Sequence, residues 1–173
     1  RLARCARAVP VCFALCTSSA VGGEWQPTGV GWRHEEGGAI VSDSPTRSFH
    51  LAPADGPGQT GRIEASVRID AVIGKRWCVS GLAWRQDEGN YWHLALIQAP
   101  SEQDGTRYVE LVDAREGRWH AQVEGDTRLT PNPMGTARID WETNVVYGLA
   151  LEIAEDAITG TMSGPDGRLM ANL

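Results

Sequence analysis

Residues 76–99, RWCVSGLAWRQDEGNYWHLALIQA, contain two apolar runs separated by a short polar stretch. In 76–85 (RWCVSGLAWR), Leu82 and Trp84 share one side of an alternating pattern. In 91–99 (YWHLALIQA), Trp92, Leu94 and Leu96 do the same. Successive side chains of a strand point to opposite faces, so each run reads as a strand with one buried face. Between them, Gln86-Asp87-Glu88-Gly89-Asn90 has the composition of a turn, since Asp and Asn bond nearby backbone and Gly takes a positive φ. The two strands are expected to form an antiparallel hairpin.

The same period extends in both directions. Residues 62–72 (RIEASVRIDAV) place Ile63, Ala65, Val67 and Ile69 on one face and Glu64, Ser66, Arg68 and Asp70 on the other. Residues 106–113 (TRYVELVD) carry Val109 and Leu111 inward, and after a turn at Arg115-Glu116-Gly117 residues 118–123 (RWHAQV) group Trp119, Ala121 and Val123. A longer polar connection, 124–143, contains Trp141. Strands follow at 144–154 and 157–162, then the turn Gly164-Pro165-Asp166-Gly167 and a last strand from 168. Upstream, 29–33, 39–42 and 48–52 read as short strands. About ten strands spaced near ten residues apart, with no helical period, predict an all-β antiparallel sandwich or barrel.

The first twenty residues differ in kind. Arg1, Arg4 and Arg7 precede the apolar run 8–15 (AVPVCFAL), and Ser18 and Ala20 stand like a small-residue cleavage site. Residues 1–20 therefore read as a signal peptide and 21–173 as the sandwich domain, secreted or periplasmic. The alternative is a buried N-terminal helix, which Pro10 and the shift at Gly22-Gly23 disfavour. Leu15 before Cys16 is too bulky for a lipidation site. Removing the leader leaves 13 basic against 22 acidic residues, a balance of −9. Nucleic acid and anionic lipid reward Lys and Arg, so neither suits this domain, and no run approaches the roughly 20 apolar residues that span a bilayer. Three of the four cysteines lie in the leader, leaving Cys78, which is expected to be a small buried hydrophobe.

Gly81-Leu82-Ala83-Trp84-Arg85, two acidic residues and Gly89-Asn90-Tyr91-Trp92 form a pattern of the type G-L-x-aromatic-R…D…N-Y-Y. This resembles the central hairpin of concanavalin A-like and laminin-G-like jelly-roll domains, and most closely the 3-keto-disaccharide hydrolase-like family of secreted bacterial proteins. Trp32…Gly37-Gly38-Ala39-Ile40-Val41 and the late hairpin 149–161 extend the resemblance over 24–173. It implies a concanavalin/laminin-G-like jelly roll, a fold that hosts lectins, hydrolases and plain spacers alike. Domains of that family usually close with a further strand beside the N-terminal one. The chain stops soon after Gly167, so the expectation is a sandwich lacking its closing strand, completed by another segment of a larger exported protein.

Sorting the central strands by face sets Tyr91, His93, Tyr108 and Glu110 opposite the core, with His120 and Glu64 on flanking strands. Sugar-binding jelly rolls use a concave sheet face, where rings stack on pyranoses and polar groups take hydroxyls. Tyr91, His93, Tyr108, Glu110 and His120 suit that role, and so does an ordinary solvated face. Arg85 occupies the family's arginine position, either in a salt bridge to Asp87 or Glu88 or at a ligand. Most tryptophans are expected in the core, with Trp25, Trp32 and Trp141 open as sugar platforms. Glycoside hydrolysis needs two carboxyls about 5 to 9.5 Å apart, and Glu64 and Glu110 qualify only if they face one cleft. The E-x-D-x-E cluster of jelly-roll glucanases is absent, and so are the nucleophile elbow, P-loop and dinucleotide fingerprint. No cofactor is implied. His93, Glu110 and His120 could ligate a divalent ion, and Asp104 or Asp126 calcium, but no ligand-spacing motif supports either. Three functions stay open: a glycan-recognising module, a hydrolase of 3-keto-disaccharides, and an architectural sandwich that holds other domains.

Overall fold

Strands form where alternation is clearest, and the main hairpins turn at residues able to bend the backbone, Asp87–Asn90, Glu116–Gly117 and Gly164–Gly167. A computed structural model describes residues 26–28, 31–36, 40–43, 49–51, 60–72, 76–87, 89–103, 105–119 and 139–173. These contain β1 (Gln26–Thr28), β2 (Trp32–His34), β3 (Ile40–Ser42), β4 (Phe49–Leu51), β5 (Gly61–Val67) and β6 (Cys78–Arg85). After them come β7 (Tyr91–Gln98), β8 (Arg107–Arg115), β9 (Arg118–Trp119), β10 (Tyr147–Ile153), β11 (Ile158–Ser163) and β12 (Leu169–Asn172). A single 3-10 turn, Ser101–Gln103, is the only helical element among the described residues.

Two open four-stranded antiparallel sheets make the body, in the orders β12-β11-β10-β5 and β6-β7-β8-β9. β10 packs over β6 and β7, and β11 over β8, so the protein is a β-sandwich. Two short antiparallel pairs, β1 with β4 and β2 with β3, complete the described strands. The hairpin expected at 76–99 is β6–β7, paired from Cys78 with Gln98 to Arg85 with Tyr91, and β7 continues into β8.

The alternating residues fill the space between the sheets. Ala65 and Val67 of β5, Leu82 and Trp84 of β6, Leu94 and Leu96 of β7, and Val109 and Leu111 of β8 meet Leu149 and Leu151 of β10 and Met162 of β11. Cys78 packs partly buried against this cluster, and loss of water pushes its thiol up to about 11, as expected of an inert core cysteine.

Trp141, expected near a loop and open as a platform, instead lies fully buried in the core. Its indole N–H donates to the carbonyls of Ile97 (3.0 Å) and Tyr108 (3.3 Å), which face each other across β7 and β8. The Arg107 guanidinium stands 4.7 Å from its ring and donates to its carbonyl at 2.9 Å and to Gln98 at 2.8 Å. Trp141 thus closes one end of the sandwich, with its polar atom satisfied and a cation on its π face.

The opposite end is clamped by turns. Asp87 accepts from the backbone N–H groups of Gly89 (2.8 Å) and Asn90 (2.9 Å) and from the Asn90 amide. The Asn90 side-chain Oδ1 in turn accepts from the N–H of Glu116, and the Gly89 carbonyl accepts from the N–H of Gly117 at 3.0 Å. Glu116 (φ 50°) and Gly117 (φ 77°) form the two-residue turn between β8 and β9, with both φ values positive as a type I′ hairpin requires. The turn at Gly164–Gly167 is also present, closed by Gly167 N–H on Gly164 O, with Gly167 at φ 78°.

Several expected boundaries shift. β5 stops at Val67, although Ile69 stays buried, and β10 starts at Tyr147 because Asn144 turns the chain at φ 63°. The strand expected at 29–33 forms at Trp32–His34, and β1 before it was not foreseen. Residues 120–123 of the expected strand, the leader 1–20 and the side chain of Trp119 lie outside the described residues.

Gly81 lies so close to β7 that a Cβ on it would stand 2.0 Å from the Leu94 carbonyl oxygen and 2.6 Å from Ala95 Cα. Both are backbone atoms with no rotamer to yield. Gly81→Ala is expected to cost about 3 kcal/mol or more in a denaturant melt. Glu116→Asn, which relieves a strained left-handed residue, is expected to raise stability by about 0.5 kcal/mol in the same assay.

Candidate functional site

The face of β6-β7-β8 turned away from the core is ordered in rows by the strand register. Val79, Ile97 and Tyr108 form one row, and Gly81, Ala95 and Glu110 the next. Then come Ala83, His93 and Val112, and finally Arg85, Tyr91 and Ala114. Four expected site residues, Tyr91, His93, Tyr108 and Glu110, therefore do share a face on adjacent strands. His93 lies diagonally across from Glu110, a spacing of about 7 to 8 Å between such backbone positions.

This face is not a plain solvated surface. Tyr91 (3% exposed), Ile97 and Val112 (1% each) are buried although none belongs to the core between the sheets. Such bulky side chains cannot hide one another on a single sheet face, so the face is largely covered. Tyr91 is accordingly not an open stacking platform. Its ring instead meets His93 edge-on, with centroids 6.3 Å apart at 69°. His93, Tyr108 and Glu110 stay half-buried.

Covering strips water from Glu110 and pushes its carboxyl up to about 7, so the proton is held near neutrality. Tyr108, two residues away on the same face, is pushed up to about 12 by its own burial and by the charge of Glu110. A neutral carboxyl next to a phenol both donates and accepts hydrogen bonds, the combination that a hydroxyl-rich ligand needs. Gly81 and Ala95 leave the strands next to Glu110 without bulk.

Glu64 does not join this group. It lies on β5 of the other sheet, alternating with the core residues Ile63, Ala65 and Val67, and its exposed carboxylate pairs with Arg62, which also reaches Glu152 at 3.1 Å. Glu64 and Glu110 thus point away from the core on opposite sides of the sandwich and cannot flank one glycosidic bond. A shallow depression of about 380 Å³ beside Arg62, lined by Thr60, Gly61, Glu152, Ile153 and Glu155, also belongs to that other sheet. Arg85 occupies the end row beside Tyr91. The Asp87 carboxylate expected to pair with it is bound chiefly by Asn90 and Gly89, which hold its pKa low, and Arg85 adds to this only through its charge.

His120, Asp104, Asp126 and Trp25 lie outside the described residues, and no cluster of three or more His, Cys, Asp or Glu suited to a metal occurs among the described ones. Trp32 is half-buried. Two exposed apolar residues were missed, Trp77 (48% exposed) just before β6 and Val79 (40%) on its outward face. The signal was available, because the alternation that buries Leu82 and Trp84 sends positions 77 and 79 outward. No helix among the described residues is long and apolar enough to cross a membrane.

Comparison with known proteins gives no match: no protein family, no curated protein and no solved structure matches this chain.

Because Glu110 holds its proton more tightly in the folded protein than in the unfolded chain, folding stability falls as pH rises from about 4.5 to about 7 and levels off above that. Glu110→Gln should abolish that fall and stabilise the domain at pH 8 by of the order of 2 kcal/mol, read from denaturant midpoints across pH. An unchanged pH profile would show that Glu110 is not desolvated.

Proposed function

We propose that this β-sandwich is a carbohydrate-recognising module of an exported protein, of the concanavalin/laminin-G-like jelly-roll class, binding a neutral glycan at the half-buried His93, Tyr108 and Glu110 of β7 and β8. The observation that carries the reading is Glu110, a half-buried carboxyl beside Tyr108 and diagonal to His93, next to positions kept small by Gly81 and Ala95. A carboxyl, a phenol and an imidazole on one partly covered face offer directional hydrogen bonds in a low-water setting, where each counts for more than at an open surface. Net charge agrees, since −6 for the whole chain disfavours polyanionic partners.

Binding is favoured over hydrolysis because the two candidate carboxylates occupy opposite faces. With Glu64 turned to the other side, this face has one carboxyl among the described residues where the usual glycosidase chemistry uses two.

A glycan-array screen of the whole chain at pH 6.5, followed by titration of the best ligand, tests the reading. Glu110→Ala and His93→Ala should each weaken binding about tenfold or more, equivalent to one lost ligand hydrogen bond. Absence of binding to any neutral glycan would overturn the proposal, and turnover of 3-keto-disaccharides by the same preparation would replace it with a hydrolase.

A further inference from the structure

The register brings five side chains of one face against Glu110. Tyr108 and Val112 flank it along β8, Ala95 stands opposite on β7, and His93 and Ile97 lie on the two diagonals. Ala95, Ile97 and Val112 are each 1% exposed, so three of the five are apolar and closed to water. The titratable two are the Tyr108 phenol and the His93 imidazole. No Lys or Arg among the described residues joins them. Arg85 of β6 stands two rows away, and Arg107 turns to Gln98 and the Trp141 carbonyl. Arg118 of β9 pairs with Arg115, five residues beyond Glu110. A half-buried carboxylate in this position has neither full hydration nor an arginine or lysine to offset its charge, and each lack favours the neutral acid. The carboxyl pKa of about 7 agrees with that placement.

A neutral ligand seated on His93, Tyr108 and Glu110 removes more of the water that still reaches the carboxyl, and it brings no charge in exchange. The neutral acid tolerates this, since it both donates and accepts hydrogen bonds. The anion only accepts, and it loses hydration that hydroxyls replace incompletely. The carboxyl therefore holds its proton more tightly in the complex than in the free protein. Linkage then requires the ligand to bind more tightly wherever that proton is already in place. Tyr108 does not share this role, because its phenol, pushed up to about 12, keeps its proton across the same range. An ordinary imidazole changes charge near pH 6.5, so the contribution of His93 has to be separated by substitution.

Resting on the carbohydrate reading above, we infer that Glu110 makes binding proton-linked, so that this site holds a neutral glycan in mildly acidic surroundings and releases it as the medium turns alkaline. Below neutrality the carboxyl proton is already present when the glycan arrives. Above neutrality one proton must be taken up from solvent with it. Affinity is accordingly level in acid and falls by up to about tenfold for each pH unit beyond the carboxyl's own range, the limit for one linked proton.

The site is first titrated without ligand, by carbon NMR of the side-chain carboxyls of the whole chain, with the Glu110 signal assigned by its loss in Glu110→Gln. It should titrate near pH 7, and titration near the ordinary value of 4.5 would overturn the inference. The neutral oligosaccharide that a glycan array retains most strongly is then titrated calorimetrically at pH 6, 7 and 8. Near-UV circular dichroism at each pH keeps unfolding, which Glu110 also drives, out of the reading. Affinity should fall about tenfold from pH 6 to pH 8. Buffers of unlike ionisation heat should show close to one proton taken up per glycan at pH 8. Both effects should vanish in Glu110→Gln and persist in His93→Gln. Affinity that stays level or rises with pH would overturn the linkage while leaving the carbohydrate reading intact. A fall that persists in Glu110→Gln and vanishes in His93→Gln would move it to the imidazole and also overturn the inference. No array binding to any neutral glycan would overturn both readings.

Discussion

The spacing between the two sheets is set where Leu94 of β7 meets Gly160 of β11. A Cβ on Gly160 would stand 2.7 Å from Leu94 Cδ1 and 3.5 Å from Leu111 Cδ2, so any side chain at position 160 would force these leucines to shift. Leu94 is wholly buried and fills that space, with Leu96, Leu151 and Met162 completing the layer around it. Close packing of this kind tolerates little change in volume, so the rest of the architecture inherits its geometry from that contact. Trp141 at one end and the Asp87–Asn90 clamp at the other keep the strands from sliding along their length.

With one face of β7 committed to Leu94 and its neighbours, the opposite face follows by alternation. That face is unusual in being apolar too, through Ala95 and Ile97 on β7 and Val112 on β8. A strand buried on both sides removes water from any polar group among its neighbours. Glu110 is such a group, and its raised pKa is the electrostatic consequence of a packing arrangement that begins on the other side of the sheet. Fold and candidate site are therefore linked through β7 and β8, and the site needs no separate scaffold.

The expected core of the central strands was legible because it depends only on period. Leu82, Trp84, Leu94, Leu96, Val109 and Leu111 all face inward, and the turns at Asp87–Asn90 and Gly164–Gly167 form as their residue types require. Gly81 stood out as the first residue of a recognisable hairpin pattern, but its close approach to Leu94 and Ala95 became visible only in three dimensions. Trp141 stayed open between core and platform, since it lies in a polar stretch with no alternation, and the carbonyls that satisfy its buried indole lie on β7 and β8 more than thirty residues away. Tyr91 was placed on the right face, but its burial depends on what covers that face, which no local pattern records.

The amino-acid order by itself determined that this chain makes antiparallel strands, which residues of each strand share a face, and where the main hairpins turn, because period and turn chemistry are local. Only the tertiary structure decided that Glu64 and Glu110 look out from opposite sides of the sandwich, and that the Glu110 face is largely closed to water. It also decided that Trp141 is buried in the core while Trp77 is half-exposed. Each of these depends on which strands become neighbours and what packs over them, and those contacts join residues far apart in the chain.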